Sequence, residues 1–109
     1  MEYPSAAFGI SGIETSFGFA MQYLYKTGVL SLPEIADRMS YQPAKILGLD
    51  GGEIAEGKVA DLTIANVDEE WVVDSSKFVS KGKNTPFNGY KLSGVVIYTI
   101  VDGEIKYQA

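Results

Sequence analysis

The chain has 109 residues, of which 46% are hydrophobic and 21% are charged, and this composition predicts one small globular unit with one core. Its formal charge of −5 argues against a dedicated nucleic-acid-binding protein, which needs a clustered basic face. The absence of cysteine and histidine excludes disulfides, thiolate nucleophiles, Cys-ligated zinc and the commonest general base near neutral pH. No apolar run approaches the roughly 20 residues of a membrane helix, and the N-terminus does not resemble a signal peptide, so we expect a cytoplasmic protein without membrane contact.

The N-terminal half of the chain predicts three helices. After an irregular, Gly-containing segment over residues 1–12, apolar residues at helical spacing predict a helix over residues 13–27. Its apolar face carries Ile13, Phe17, Ala20, Met21 and Leu24. Ser31 and Glu34 have the spacing of a capping box, which predicts the start of a second helix. Pro43 is typical of the first turn of a further, short helix.

From residue 50 the pattern changes to strands and turns. The predicted strands cover residues 52–54, 59–65, 71–73, 95–101 and 104–107. Asp102-Gly103 is a type I′ turn signal that joins the last two strands into a hairpin. Residues 79–92 contain Gly, Pro and Lys and predict a long loop. The acidic run over residues 68–70 is interpreted as a solvated turn rather than a magnesium site.

Four segments in this order resemble class I dihydroorotases, members of the cyclic amidohydrolases. Residues 8–15 (FGISGIET) are similar to the stretch after the last metal ligand of that family, and residues 41–49 (YQPAKILGL) resemble its helix before the barrel exit. The glycines near residues 52 and 57, together with Ala-Asp-Leu at 60–62, are similar to its small β-domain. Residues 82–89 (GKNTPFNG) and 98–103 (YTIVDG) resemble its C-terminal part.

The resemblance implies an α+β fragment of a larger enzyme. Residues 1–49 would be the C-terminal loop and helices of a (β/α)₈ amidohydrolase barrel, and residues 50–109 would be the C-terminal part of a small β-sandwich domain. The family enzyme reversibly cyclises N-carbamoyl-L-aspartate to (S)-dihydroorotate with loss of water, in pyrimidine biosynthesis. It uses one or two zinc ions and an Asp that shuttles the proton. Its metal ligands would precede this chain, so the resemblance implies that the chain holds no zinc and is inactive alone.

The resemblance assigns two substrate-binding residues, Phe8 and Gly9, and no catalytic or metal-binding residue. A glycine lets a backbone amide approach a planar anionic ligand without a Cβ clash. The family has Pro before the Phe, whereas this chain has Ala7, which puts the shape of the loop in question. Glu14 and Thr15 match the motif and are interpreted as helix N-terminal residues, and residue 61, an Asp, as a structural strand residue.

Three other interpretations stay open. The parent could be an allantoinase or hydantoinase, and residues 8–15 are the segment that discriminates these from dihydroorotases. It could also be a metal-free homologue that serves as a scaffold for aspartate transcarbamoylase. A free-standing α+β binding module is the fourth interpretation, but it leaves the ordered motifs unexplained.

We also expect partners other than the small-molecule substrate. In the resembled fold, the apolar face of the first helix packs on the barrel, and the strand over residues 95–101 pairs partly with strands from the N-terminal part of the parent. A chain that lacks those partners exposes apolar surface and strand edges. We therefore expect homo-oligomers, with symmetric dimers as the commonest closed form.

Overall fold

The computed structural model describes residues 9–109, in which helices precede a three-stranded antiparallel sheet. Helix α1, Ser16–Ala20, continues without interruption into a π-helical turn, Met21–Tyr25. The Lys26 N–H donates to the Met21 carbonyl at 3.0 Å, which closes that wider turn. The helical segment is therefore shorter than the predicted 13–27.

The predicted apolar face of α1 is only partly buried. Met21 and Ala20 are buried, and Phe17 is half-buried against them. Ile13 precedes the helix and is 86% exposed, and Leu24 is exposed as well. The two ends of the predicted face thus have no covering element within residues 9–109.

The second and third predicted helices form one continuous helical segment, so the predicted break between them is wrong. Helix α2, Leu32–Ala36, passes through a π-helical turn, Asp37–Tyr41, directly into helix α3, Gln42–Leu47. Proline inside a helix removes one hydrogen bond and collides with the carbonyl four residues earlier. The wider π turn before Pro43 accommodates the ring, because the Gln42 N–H bonds to the Asp37 carbonyl instead.

The predicted capping box at the start of α2 is confirmed. The Ser31 hydroxyl accepts from the Glu34 N–H at 3.3 Å, and the Glu34 carboxylate accepts from the Ser31 N–H at 3.1 Å. These two bonds satisfy donors that the first helical turn cannot pair internally. The start of α2 is therefore determined by its own local sequence.

The sheet has the order β1-β2-β3, with β1 at Leu62–Val72, β2 at Lys91–Val101 and β3 at Glu104–Gln108. The Asp102-Gly103 turn between β2 and β3 is confirmed as a hairpin turn with positive φ at both residues, 52° and 75°. Strand β2 is central and pairs on both sides within this chain, so the expectation that its partners lie elsewhere is corrected. The sheet edges are β1 and β3.

Two details of the predicted strands are wrong. Residues 52–54 form no strand, because Gly52 has a φ of +80° and its backbone turns against the Ser40 carbonyl. The predicted strands over 59–65 and 71–73 belong to one strand, β1, and the acidic run lies inside it. The interpretation of residues 68–70 as a turn is therefore wrong, although they are exposed to solvent as expected. The register with β2 shifts between Asn66 and Glu70, which is where the run lies.

Two small clusters of buried side chains join the helices to the sheet. The first contains Ala20, Met21 and Ile35, and the second contains Val73, Phe78 and Leu92. Helix and sheet approach closely at Gly94 of β2, where an added Cβ would lie 2.6 Å from the Met21 Cγ. The second cluster anchors the residue 73–90 connection to the sheet, and that connection forms one wall of the candidate site.

Candidate functional site

The segment that carries the predicted substrate loop begins the described part of the chain. Phe8 lies outside the described residues, whereas Gly9 is described and exposed. Among the described residues, an added Cβ at Gly9 would meet no atom within 4 Å. No described residue therefore covers the Cβ side of Gly9, which is the condition for close approach of a ligand to its backbone.

The loop at residues 9–11 is held by Asn84 from the connection between β1 and β2. The Asn84 side-chain amide donates to the Gly9 carbonyl, and the main-chain carbonyl of Asn84 accepts from the Ser11 N–H at 2.6 Å. Gly82 also lies against this loop, because a Cβ placed on it would come within 2.8 Å of the Ser11 hydroxyl. Residues far apart in sequence thus determine the backbone path of the candidate site.

Glu14 makes a second connection between the same two segments. Its carboxylate accepts hydrogen bonds from the Val79 N–H at 3.0 Å and the Ser80 N–H at 2.9 Å. Hydrogen bonds from the Ser80 hydroxyl and N–H hold the pKa of Glu14 below its ordinary value, and burial opposes them less strongly. The Val79 N–H and the Lys83 charge lower the same pKa by still smaller amounts. Glu14 therefore joins the two segments as a carboxylate anion, and it also lies just before the N-terminus of α1.

A cleft of about 260 Å³ lies between the two segments. Its walls are Ile10, Ser11, Gly12, Ile13, Glu14, Phe78 and Ser80. A wider groove of about 750 Å³ continues from Glu14 and Ser80 along α1 and β2. The loop that carries Gly9 thus borders a concave surface, which is the usual setting of a small-molecule site.

Two other residues singled out in the sequence, Asp61 and Thr15, make hydrogen bonds that stabilise the local fold. The carboxylate of Asp61 accepts from the Asp102 N–H at 2.8 Å, and the Gly103 N–H donates to the Ala60 carbonyl at 2.9 Å. These two bonds connect the residues just before β1 to the turn of the β2–β3 hairpin. Thr15 is buried, and its hydroxyl donates to the Gly12 carbonyl at 3.3 Å.

Within residues 9–109, no three His, Cys, Asp or Glu side chains come together in a group that could hold a metal ion. The described side chains therefore do not fit a zinc site. None of the helices in the same range has the length and hydrophobicity that a membrane-spanning helix requires.

The sequence interpretation missed Asn84 and the second role of Glu14. Asn84 lies in the 82–89 segment that carried the resemblance, but no local pattern indicates which distant loop it contacts. A pairing across 75 residues becomes visible only in the folded chain.

The chain matches the description "Amidohydrolase family" over residues 6–106. The chain belongs to the amidohydrolase family. Amidohydrolases similar to it include one named dihydroorotase from Thermoanaerobacter sp. (strain X514), 54% identical over 106 residues, and one of the same name from Caldanaerobacter subterraneus subsp. tengcongensis, 51% identical over 106 residues. Each alignment covers 97% of this chain but 24% of the relative, so the chain spans about a quarter of the length of these relatives.

The amidohydrolase fold is also supported by a solved structure. L-Hydantoinase (dihydropyrimidinase) from Arthrobacter aurescens is similar to this chain with a TM-score of 0.87 and 33% sequence identity. The superposition covers 94% of this chain and 23% of the hydantoinase. The helices and the three-stranded sheet thus have the arrangement of part of a larger protein of the same fold.

Proposed function

We propose that the chain is the C-terminal quarter of a dihydroorotase, an enzyme that closes N-carbamoyl-L-aspartate to dihydroorotate with loss of water. The observation that carries this proposal is the identity of 54% and 51% with relatives named dihydroorotase, over 97% of the chain. The FGISGIET segment at residues 8–15 and the GKNTPFNG segment at residues 82–89 add to it. The two segments are in contact, because the Asn84 side chain bonds to the Gly9 carbonyl.

The proposed placement divides the chain between the two domains of the parent. Residues 1–49 are the last loop and helices of the barrel, and residues 50–109 complete the small β-domain. The chain has no histidine, and its described residues form no metal-binding group, so zinc in the parent is held by residues outside this chain. The parent is proposed to be cytoplasmic.

This chain contributes the shape of the substrate site rather than its reacting groups. The exposed backbone at Gly9 and the adjoining cleft offer a surface for a planar anionic substrate. Phe8 is proposed to contact the same substrate. In ring closure the terminal ureido nitrogen attacks the side-chain carboxyl carbon, so that a C–N bond forms and a carboxyl C–O bond breaks. The protonated carboxyl group loses its OH, which leaves as water with one proton from the nitrogen.

A hydantoinase is the second candidate, favoured by the likeness to the Arthrobacter aurescens L-hydantoinase. The test is to purify the full-length protein with zinc and to measure turnover of dihydroorotate and of a hydantoin side by side. We expect dihydroorotate to be the preferred substrate by kcat/KM. Preference for the hydantoin would reject the dihydroorotase proposal.

The isolated 109-residue chain is expected to be inactive, because it supplies no metal-binding group within its described residues. Zinc-supplemented chain is compared with zinc alone in the same assay, and turnover above the metal-only rate would contradict this expectation. A parent without the family's histidines would instead be a metal-free scaffold for aspartate transcarbamoylase. Metal analysis and copurification of the full-length protein with aspartate transcarbamoylase distinguish that alternative.

A further inference from the structure

We infer that Asn84 is a positioning residue, which holds the Gly9 peptide so that the Ile10 N–H is directed away from the 78–84 segment and toward the substrate. The inference rests on the proposed function, and it concerns a residue outside the predicted substrate loop. Asn84 contacts the backbone on both sides of Ile10, through the Gly9 carbonyl and the Ser11 N–H. The bond to Gly9 comes from the Asn84 side chain and the bond to Ser11 from its main-chain carbonyl, so residue 84 holds the backbone before and after Ile10.

The geometry of the peptide bond extends this contact to Ile10. The described chain has no cis peptide bond, so the Gly9–Ile10 peptide is planar and trans. In such a unit the carbonyl and the N–H point in opposite directions. Because the Gly9 carbonyl is directed at Asn84, the Ile10 N–H is directed away from it.

The position of Asn84 is itself determined by the sheet. Within the same segment, the Lys83 ammonium donates to the Phe78 carbonyl, and the Thr85 N–H donates to the Lys83 carbonyl at 3.1 Å. Phe78 is buried together with Val73, which directly follows β1, and Leu92, which belongs to β2. The core of the small sheet therefore holds the 78–84 segment in place, and that segment holds residues 9–11 through Asn84.

A backbone donor is useful only if its direction is fixed before the substrate arrives. Glycine adopts more backbone conformations than any other residue, so an untethered Gly9 peptide could rotate. Asn84 removes that freedom, which lowers the entropy lost on substrate binding. Loss of Asn84 should therefore weaken substrate binding without changing the metal site.

The experiment uses the full-length protein with Asn84→Ala and Asn84→Asp. The matched controls are Asn88→Ala and Asn88→Asp, because Asn88 lies in the same connection and its side chain bonds Ser75 at 2.8 and 2.9 Å, away from residues 9–11. We expect both Asn84 variants to raise KM about tenfold, which is a binding loss of about 1.4 kcal/mol, with a smaller change in kcat and unchanged metal content. Comparison of the two Asn84 variants separates two effects. Asn84→Ala only removes the amide, whereas Asn84→Asp also adds a carboxylate that repels an anionic substrate.

An activity-independent measurement accompanies the kinetics. The Ser11 N–H bonds to the main-chain carbonyl of residue 84, which alanine retains, so this bond is not itself removed in Asn84→Ala. Because the side-chain bond to Gly9 is lost and the two segments are held less tightly, the Ser11 amide should exchange its hydrogen faster in Asn84→Ala than in the wild type and in Asn88→Ala. Asn84→Ala with wild-type KM, or with the same KM as Asn88→Ala, overturns the inference. If the wild type turns over neither dihydroorotate nor hydantoin, the proposed function fails, and unchanged Ser11 exchange in Asn84→Ala then refutes the positioning role separately.

Discussion

At the scale of single residues, the candidate site depends on atoms that carry no reactive chemistry. Gly9 supplies exposed backbone, Asn84 supplies an amide on one side of it, and Glu14 supplies a carboxylate near the start of α1. Asn84 and Glu14 act by holding the position of backbone groups of another segment.

Substitution of Gly9 by valine in the full-length protein should raise KM about tenfold or more and leave metal content unchanged. Within the described residues, an added Cβ at Gly9 meets nothing within 4 Å, so the expected obstruction is with the substrate. Gly51→Val is the matched control, since an added Cβ at Gly51 likewise meets no described atom within 4 Å and Gly51 does not line the cleft. Steady-state kinetics with metal analysis measure the effect, and unchanged turnover in Gly9→Val would remove this loop from the substrate site.

The bonds from Glu14 to Val79 and Ser80 should make stability depend on pH. Its pKa in the folded protein is lowered from an ordinary value of 4.5, so its stabilising effect is complete above that value and is lost as pH falls through the lower folded value. We expect Glu14→Gln to lower the Tm of the full-length protein near neutral pH, with the difference shrinking below about pH 4.5. Glu69→Gln, an exposed position of β1, is the charge control. A difference between Glu14→Gln and wild type that is constant from pH 7 to pH 3 would contradict this role.

At the scale of elements, the contact between α1 and the sheet depends on small residues. Gly94 has a φ of +97°, and the Trp71 indole N–H donates to its carbonyl at 3.0 Å. Gly18 of α1 lies against Leu92 and Trp71, with an added Cβ placed 3.0 Å from the Leu92 Cδ1. Aromatic packing continues this contact, since the rings of Phe19 and Phe87 lie edge to face at 4.5 Å.

Gly94→Ala should therefore destabilise the protein by about 2–4 kcal/mol, through overpacking against Met21 and strain at positive φ. Gly103→Ala separates the two causes, because Gly103 also has positive φ, +75°, but has open space around it. Its cost should be about 1–2 kcal/mol. Denaturation of the two variants and the wild type measures the difference, and equal losses in both variants would show that the contact with Met21 contributes nothing.

At the scale of the whole molecule, the chain is more extended and more exposed than a compact domain of its length. Its radius of gyration is 15.9 Å, whereas about 13 Å is typical for this number of residues. Its accessible surface is 8101 Å², against about 5,900 Å² for a monomer of 11.8 kDa. The exposed apolar side chains in and after α3 include Ile46, Leu47, Leu49, Ile54 and Val59.

The isolated chain is accordingly expected to self-associate, through helix faces or through the free edges of β1 and β3. Burying exposed apolar area gains about 25 cal/mol for each Å², which favours any arrangement that covers it. Symmetric dimers are the simplest closed arrangement. Sedimentation at several concentrations tests this, and a monomer that persists at high concentration and unfolds cooperatively would show that these residues form a self-sufficient domain.

The sequence alone determined the features that depend on neighbouring residues. The capping box at Ser31 and Glu34 and the Asp102-Gly103 hairpin turn are confirmed, because each is specified by side chains a few residues apart. The family was likewise recognisable from the order of short motifs. The substrate contact of Phe8, which lies outside the described residues, and the domain boundary after residue 49 stay predictions.

Only the tertiary structure decided the features that join distant parts of the chain. Local periodicity could not show that α2 and α3 are continuous, since Pro43 is equally typical of a helix start, and it could not predict that Gly52 turns against Ser40. Nor could it pair Asn84 with Gly9 or Glu14 with Ser80, because hydrogen bonds across 75 and 66 residues leave no mark on local composition. Sequence pattern encodes the conformation of a segment, whereas the site is made by the approach of two segments, which packing against the sheet brings together.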